Sequence, residues 1–200
     1  GAFTDVGYSA KSISMGLVQS NLNQGAMSSI LNPASLLNQE GKHSLAVNSF
    51  KLRNMDNYLV LAYSTRLIEK IPIGVMIITS GDEIWAETQI GLSVGYQILE
   101  GLNVGLTTKL LNVSAGNNED GQIQIGDSGE LQVSGSGIGF GLDFGVQYQL
   151  SENQQFAMVF KNLLNTIGYS SEGGGGNAKG DYSEGIPTEY ILGYRISNKS

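Results

Sequence analysis

From Ile138 to Leu150 the chain alternates without a break. Ile138, Phe140, Leu142, Phe144, Val146, Tyr148 and Leu150 are apolar, and Gly139, Gly141, Asp143, Gly145, Gln147 and Gln149 between them are small or polar. Successive side chains of a strand point to opposite faces, so this run makes one face greasy and the other small and wet. The run is thirteen residues long, whereas a globular strand averages ~5–6 residues and a tilted membrane-crossing strand needs ~9–11. Such a segment restricts the chain to a β fold that must show its apolar face either to lipid or to a second apolar layer.

The same period recurs from His43 onward. Ile90, Leu92, Val94, Tyr96 and Ile98 alternate with Gly91, Ser93, Gly95 and Gln97, and Leu102, Val104 and Leu106 alternate with Asn103, Gly105 and Thr107. Eight strands are expected, at 43–53, 57–68, 71–79, 89–99, 102–114, 136–150, 154–163 and 188–197. The links at Glu69-Lys70, Leu99-Glu100-Gly101 and Ser151-Glu152-Asn153 are tight, and those at Ser80–Thr88, Ala115–Gly135 and Leu164–Pro187 are long. Asn54–Asp56 is short where a long link is expected. Alternating short and long connections are the habit of outer-membrane barrels, with short turns in the periplasm and long loops outside the cell. The pattern predicts an all-β fold: an antiparallel up-and-down transmembrane β-barrel, or part of one. A soluble sandwich with its apolar faces inward is the competing reading, since the period does not say which way a face points.

Composition agrees. Charged residues make up only 14% of the chain, against a usual ~25%, and the 28 glycines ease curvature and leave room on an inner wall. With no cysteine, disulfides and thiolate metal sites are excluded. A net charge of −7 argues against nucleic acid as a partner, because tracking phosphates needs a basic stripe. The densest apolar run, Ile71 to Ile78 with Pro72 inside it, is far shorter than the ~18 residues of a membrane helix.

Residues 1–42 differ, being rich in Ser, Asn, Gln and Gly and lacking alternation. Asn32-Pro33-Ala34-Ser35-Leu36-Leu37 reads as a helix start, with Asn32 as cap, Pro33 at the first helical position and Gly41 as the end. We expect two parts: a short N-terminal plug with a small helix over 1–42, and barrel strands over 43–200.

The stretch from Gly16 to Leu37, with Met15-Gly16 early and Leu31-Asn32-Pro33-Ala34-Ser35-Leu36 late, resembles the start of the FadL-type outer-membrane transporters and of the related PorV and PorQ proteins. So does the strand, turn and strand of Gly137 to Leu164, which ends Phe160-Lys161-Asn162-Leu163. The resemblance implies a larger barrel of about fourteen strands with an N-terminal hatch inside, and a localisation in the bacterial outer membrane. Eight strands are fewer than that, so the chain is expected to be a piece of a longer barrel. A complete eight-stranded barrel and an open sheet completed by another chain are the alternatives.

The resemblance also frames function. The leading expectation is a channel for small hydrophobic molecules, with outer-membrane lipid and hydrophobic ligands or detergent as partners and no cofactor. A PorV-like barrel that receives cargo from secretion-system proteins is the rival, and a structural or assembly subunit the third. Asn32, Pro33 and Ala34 would gate the plug, and Leu31, Leu36 and Leu37 would line a greasy site. Lys109, Asp143, Lys161, Glu189 and Arg195 share the parity of the small residues and are expected in the lumen, either as a selective constriction or as ion pairs filling space. In FadL-like transporters a kinked third strand opens sideways to the bilayer, and Pro72 with Gly74 would mark that gap here, unless Pro72 merely starts a strand.

Other groups carry less. The expected loops are acidic, and Asn117-Asn118-Glu119-Asp120 offers oxygen ligands without EF-hand spacing, so solvated loops are the plainer reading. Gly173 to Gly176 lacks the Lys-Ser/Thr of a phosphate loop. His43 is the only histidine, and Ser44 beside it points to the opposite face. Neither a metal site nor a catalytic set is expected, and the chain is read as no enzyme.

Overall fold

The structure, a computed structural model, describes residues 3, 6–14, 20–21, 24–52, 56–68, 70–82, 85–116, 134–172 and 179–197. Met15 and Gly16, Asn117–Asp120 and Gly173–Gly176 lie outside these.

Nine antiparallel strands form one sheet: β1 (His43–Leu52), β2 (Asp56–Ile68), β3 (Ile71–Gly81), β4 (Trp85–Leu99), β5 (Leu102–Ala115), β6 (Ser134–Ser151), β7 (Gln154–Glu172), β8 (Lys179–Glu184) and β9 (Glu189–Ile196). Each pairs with its sequence neighbour from β1 to β8, and β9 also pairs with β7. Among the described residues no pairing joins β1 to β8 or β9, so the sheet is open. The fold class is the expected up-and-down antiparallel one, with a ninth strand that the sequence reading did not separate. Residues 164–187, expected as a long loop, are mostly strand, because β7 runs on to Glu172 and β8 returns along it. Residues 80–88 likewise shrink to a tight hairpin, in which the Asp82 carboxylate accepts from the Trp85 N–H at 3.0 Å. The opposite end of the sheet carries the tight turns as expected. At the β4–β5 turn Gly101 takes φ +80°, a conformation open to glycine at little cost.

The apolar parity points outward. Leu92 is 55% exposed, Ile138 64% and Phe140 55%, while Ser93, Thr107 and Gln147 on the other parity are buried. This orientation, which the period alone left open, is the reverse of a soluble sandwich. Outward residues of β6 from Ile138 to Leu150 span roughly 40 Å along the strand at ~3.3 Å per residue, or about 30 Å of height at a ~40° tilt. That matches the ~25 Å apolar band of a membrane barrel. Tyr63, Tyr96, Tyr148 and Tyr194 stand exposed toward the tight-turn end, where an aromatic girdle meets lipid headgroups.

The sheet wraps its inner face around the N-terminal segment. This segment holds α1 (Ala10–Ser14), a 3-10 turn (Gly25–Met27), α2 (Ser28–Leu31) and a 3-10 helix (Pro33–Asn38). The last has Pro33 at its start, and the Asn32 side chain accepts from the Ala34 N–H at 3.1 Å. The cap was legible in the sequence; the tighter 3-10 winding was not. Tyr8, Met27, Ile30 and Leu31 of the segment pack against Tyr58, Val60, Met76 and Ile78 of β2 and β3. The inner face is therefore apolar on that side, although small and polar residues were expected throughout.

Candidate functional site

A row of glycines seats the segment. Gly95 pairs with Gly105, and Gly105 with Gly145, across β4, β5 and β6. A Cβ at Gly105 would collide with the backbone of Pro33 and Ala34, and one at Gly145 with the Asn32 side chain. At Gly95 it would stand 3.3 Å from the Pro33 carbonyl, 3.4 Å from Leu37 and 3.1 Å from Pro72. Asn32, Pro33 and Ala34 thus lie in a trough made by absent side chains, which is the close backbone approach that strand glycines permit.

Polar side chains of the wall then tie the segment down. The Ser93 and Thr107 hydroxyls both donate to the Ser29 carbonyl at 3.2 Å. Arg66 donates to the Leu37 and Gln39 carbonyls at 2.6 and 2.7 Å. Gln147 donates to the Ser35 hydroxyl at 3.2 Å and accepts from Asn38. Asn32 donates to the Ser20 carbonyl at 2.8 Å. The bonds to the Ser29, Leu37 and Gln39 carbonyls satisfy backbone groups that short helices leave open. Leu31 and Leu36 are buried and Leu37 half-buried, all in contacts between segment and wall.

Farther from the tight turns is a charged cluster. Lys109 lies 2.6 Å from the Asp143 carboxylate and donates to the Asn162 side-chain oxygen at 2.5 Å. Gly91 and Gly141 flank Lys109 in register, and a Cβ at Gly141 would strike the lysine stem. Lys161 sits directly opposite Glu189 across β7 and β9. Lys109, Asp143, Lys161 and Glu189 share one small cavity of about 20 Å³ with Phe3, Tyr8 and Ile30 of the segment. Four of the five expected lumen charges therefore converge. Arg195 does not join them: it is exposed near the tight-turn end, with the Asn21 carbonyl at 3.5 Å.

Beside this cluster the wall loses its regular ladder. Leu142 pairs with Leu164 and Phe144 with Phe160, so Lys161, Asn162 and Leu163 bulge opposite Asp143 alone. Asn162 adopts φ +56° and gives its N–H to the Asp143 carboxylate at 2.8 Å. At the bulge β7 changes partner from β9 to β8, and residues 185–188 between those strands have no ladder. Side-chain amides substitute for it. Asn165 donates to the Ile186 carbonyl at 2.9 Å and accepts from its N–H. Asn162 donates to the Pro187 carbonyl at 3.3 Å, and the Thr188 hydroxyl donates to the Asn162 carbonyl at 3.0 Å.

Pro72 and Gly74, expected to mark a side opening, lie against the N-terminal segment. Gly74 is in register with Ser64 on one side and Ser93 on the other, and its missing side chain makes room for Ser29 and Leu36. Pro72 is buried next to the glycine row, beside a one-residue irregularity in β2. Here proline and glycine serve the seat of the segment.

The sequence reading passed over Asn162 and Asn165. Their signal was a phase slip. Phe156, Met158 and Phe160 keep the alternation, and then Leu163 and Leu164 stand side by side. The apolar inner patch was also written in β2 and β3, where Tyr58-Leu59-Val60-Leu61-Ala62 and Val75-Met76-Ile77-Ile78 are apolar on both parities.

No protein family profile matches the chain, and no curated protein matches it in sequence. Among solved structures it is similar to the CymD monoaromatic hydrocarbon channel, with a TM-score of 0.65 and 18% identity over 96% of this chain and 65% of that one. The likeness is one of fold, an up-and-down antiparallel β architecture, and the chain spans 65% of the length of that neighbour.

Proposed function

We propose that this protein is an outer-membrane channel that admits small hydrophobic molecules into the bacterial cell. The observation that carries the reading is the outward apolar belt, because an exposed apolar surface of this extent needs lipid or a partner to cover it, and strands of this length fit a bilayer. The N-terminal segment acts as the plug, held by Asn32, Pro33 and Ala34 in the glycine trough. The apolar inner patch of Tyr58, Val60, Met76 and Ile78 supports a hydrophobic solute, as does the likeness to a hydrocarbon channel. A side exit is better supported at the ladder break by Asn162 and residues 185–188, where four successive residues lack a ladder, than at Pro72 and Gly74, where Gly74 is paired on both sides and only Pro72 drops out of the β2–β3 register.

Uptake of a labelled monoaromatic hydrocarbon by cells with an intact lipopolysaccharide outer membrane tests this. Cells carrying the inserted protein are expected to take up the probe several-fold faster than cells without it. Equal rates, with the protein shown to be inserted, reject the channel reading.

A further inference from the structure

The outward belt has two unlike halves. Over β6, β7 and β9 it is paved with rings: Phe144 lies 6.2 Å from Phe160, and Phe160 5.6 Å from Tyr190, centre to centre. Over β2 to β5 it is aliphatic and hollow. Leu61, Ile77, Ile90 and Leu110 stand in register as one ridge. Tyr63, Val75, Leu92 and Thr108 form a second, two residues nearer the tight turns. Between the ridges runs a groove of about 580 Å³ that reaches Leu45 on β1, within the ~300–1,000 Å³ of small-molecule sites. The Thr108 hydroxyl donates to the Leu92 carbonyl at 3.4 Å, so its polarity is spent on the wall.

The groove has a polar end. Tyr63 lies nearer the tight turn of its hairpin than Leu92 does to its own, so the groove descends from the middle of the belt toward headgroup level at β1 and β2. There His43 stacks on Tyr63 with 6.1 Å between centroids. Its Nδ1 is 2.8 Å from the Tyr63 hydroxyl and 3.1 Å from that of Thr65. With Nδ1 accepting from these hydroxyls, the ring proton sits on Nε2 and is the donor left for a ligand. Exposed Lys42 precedes His43 and is held beside β2 by the Arg66 N–H, which donates to its carbonyl at 2.8 Å. Exposed Lys70 occupies the β2–β3 turn. Among the described residues neither lysine is in an ion pair, and the acid beside them is Glu40.

We propose that this groove is a binding site for one phospholipid of the periplasmic leaflet, with an acyl chain between the two ridges and the phosphate at His43 and Lys42. The proposal rests on the channel reading for the contact of the belt with lipid. A flexible aliphatic chain fits a hollow between aliphatic ridges, while the rings of the other half pack on one another. Phosphate is the anionic acceptor that the His43 donor and the two lysines complement. A hydrocarbon solute or the apolar belt of a second copy would leave those groups unmatched.

The test is photolabelling of the full chain in dodecyl maltoside, a detergent without phosphate. Two probes carry the same mid-chain diazirine: a phosphatidylglycerol, and a diacylglycerol that lacks the phosphate. Phosphatidylglycerol is expected to label the exterior of β2 to β5 at least about fivefold more than that of β6 to β9, and diacylglycerol to label the two halves within about twofold. Thr108→Phe fills the groove and His43→Ala removes the donor, both on the outer surface where the fold is spared. Each is expected to bring the phosphatidylglycerol ratio within about twofold of that for diacylglycerol. Equal phosphatidylglycerol labelling of the two halves, equal enrichment of diacylglycerol, or a ratio that either substitution leaves unchanged overturns the proposal while the channel reading stands. A chain that stays in solution without detergent and is labelled on neither half has its belt covered by protein, and both fall.

Discussion

At Gly105 a single methyl group is enough to test the seat of the plug. Its Cβ would meet backbone of Pro33 and Ala34, and backbone has no rotamer to yield, so Gly105→Ala is expected to cost about 1–3 kcal/mol as an overpacking change. Gly168 gives the contrast. A Cβ there meets only the Ile138 carbonyl at 3.9 Å, so Gly168→Ala should be neutral or stabilise the strand by up to about 1 kcal/mol. Urea unfolding of both variants in the same detergent measures the difference, and equal effects would contradict the trough. Asn32→Ala removes both the cap on Ala34 and the tether to Ser20; a loss of about 1–2 kcal/mol is expected, read as faster proteolysis of the N-terminal segment. Much of this was legible before the fold was known. Asn32-Pro33 signals a helix start by chemistry alone, and glycines of one parity signal an inner wall. That Gly95, Gly105 and Gly145 fall in one row depends on register between strands, which the sequence of any one strand does not contain.

Among the elements, β7 departs most from a regular strand. Its three-residue bulge opposite Asp143, and the partner change that follows, replace a ladder with side-chain amides. The Ile186 amide is held by Asn165 alone among the described groups, so Asn165→Ala should raise its hydrogen-exchange rate at least about tenfold while the β9 amides from Ile191 to Tyr194 keep their protection. Unchanged exchange at Ile186 would show that the break is held by something else. Strand existence and parity were readable here because period two is a local signal. The lengths of β7 and β8 were not, since over residues 164–172 and 179–184 the large apolar or aromatic residues are only Leu164, Ile167, Tyr169 and Tyr182, too sparse to mark a strand by period two. Pro72 shows a related limit: proline and glycine announce a weakened ladder in general, but whether they open a wall or fit a neighbour depends on what packs against them.

On the scale of the whole molecule, an apolar exterior encloses an interior that is greasy near β2 and β3 and charge-paired near β5 to β7. The exterior is the part of the molecule on which the proposed membrane insertion rests. Leu106→Arg on the exterior, level with Phe144 in the middle of the belt, should cost about 2–4 kcal/mol in bilayer near the midplane, measured by reversible unfolding from lipid, whereas a Thr88→Arg change at the end of the apolar belt should cost ~1 or less. The absence of native cysteine makes one measurement decisive. Single cysteines at Ile90, Leu92, Val94 and Tyr96, and at Gln89, Ser93 and Gln97, are spin-labelled in bilayers and their accessibility to dissolved oxygen is compared with that to a water-soluble nickel chelate. The account predicts strong oxygen access at the first four positions and weak access at the other three, alternating residue by residue along β4. The opposite phase, or a protein that stays in solution without lipid, would mean that the apolar face is covered by protein and would contradict the channel at its base.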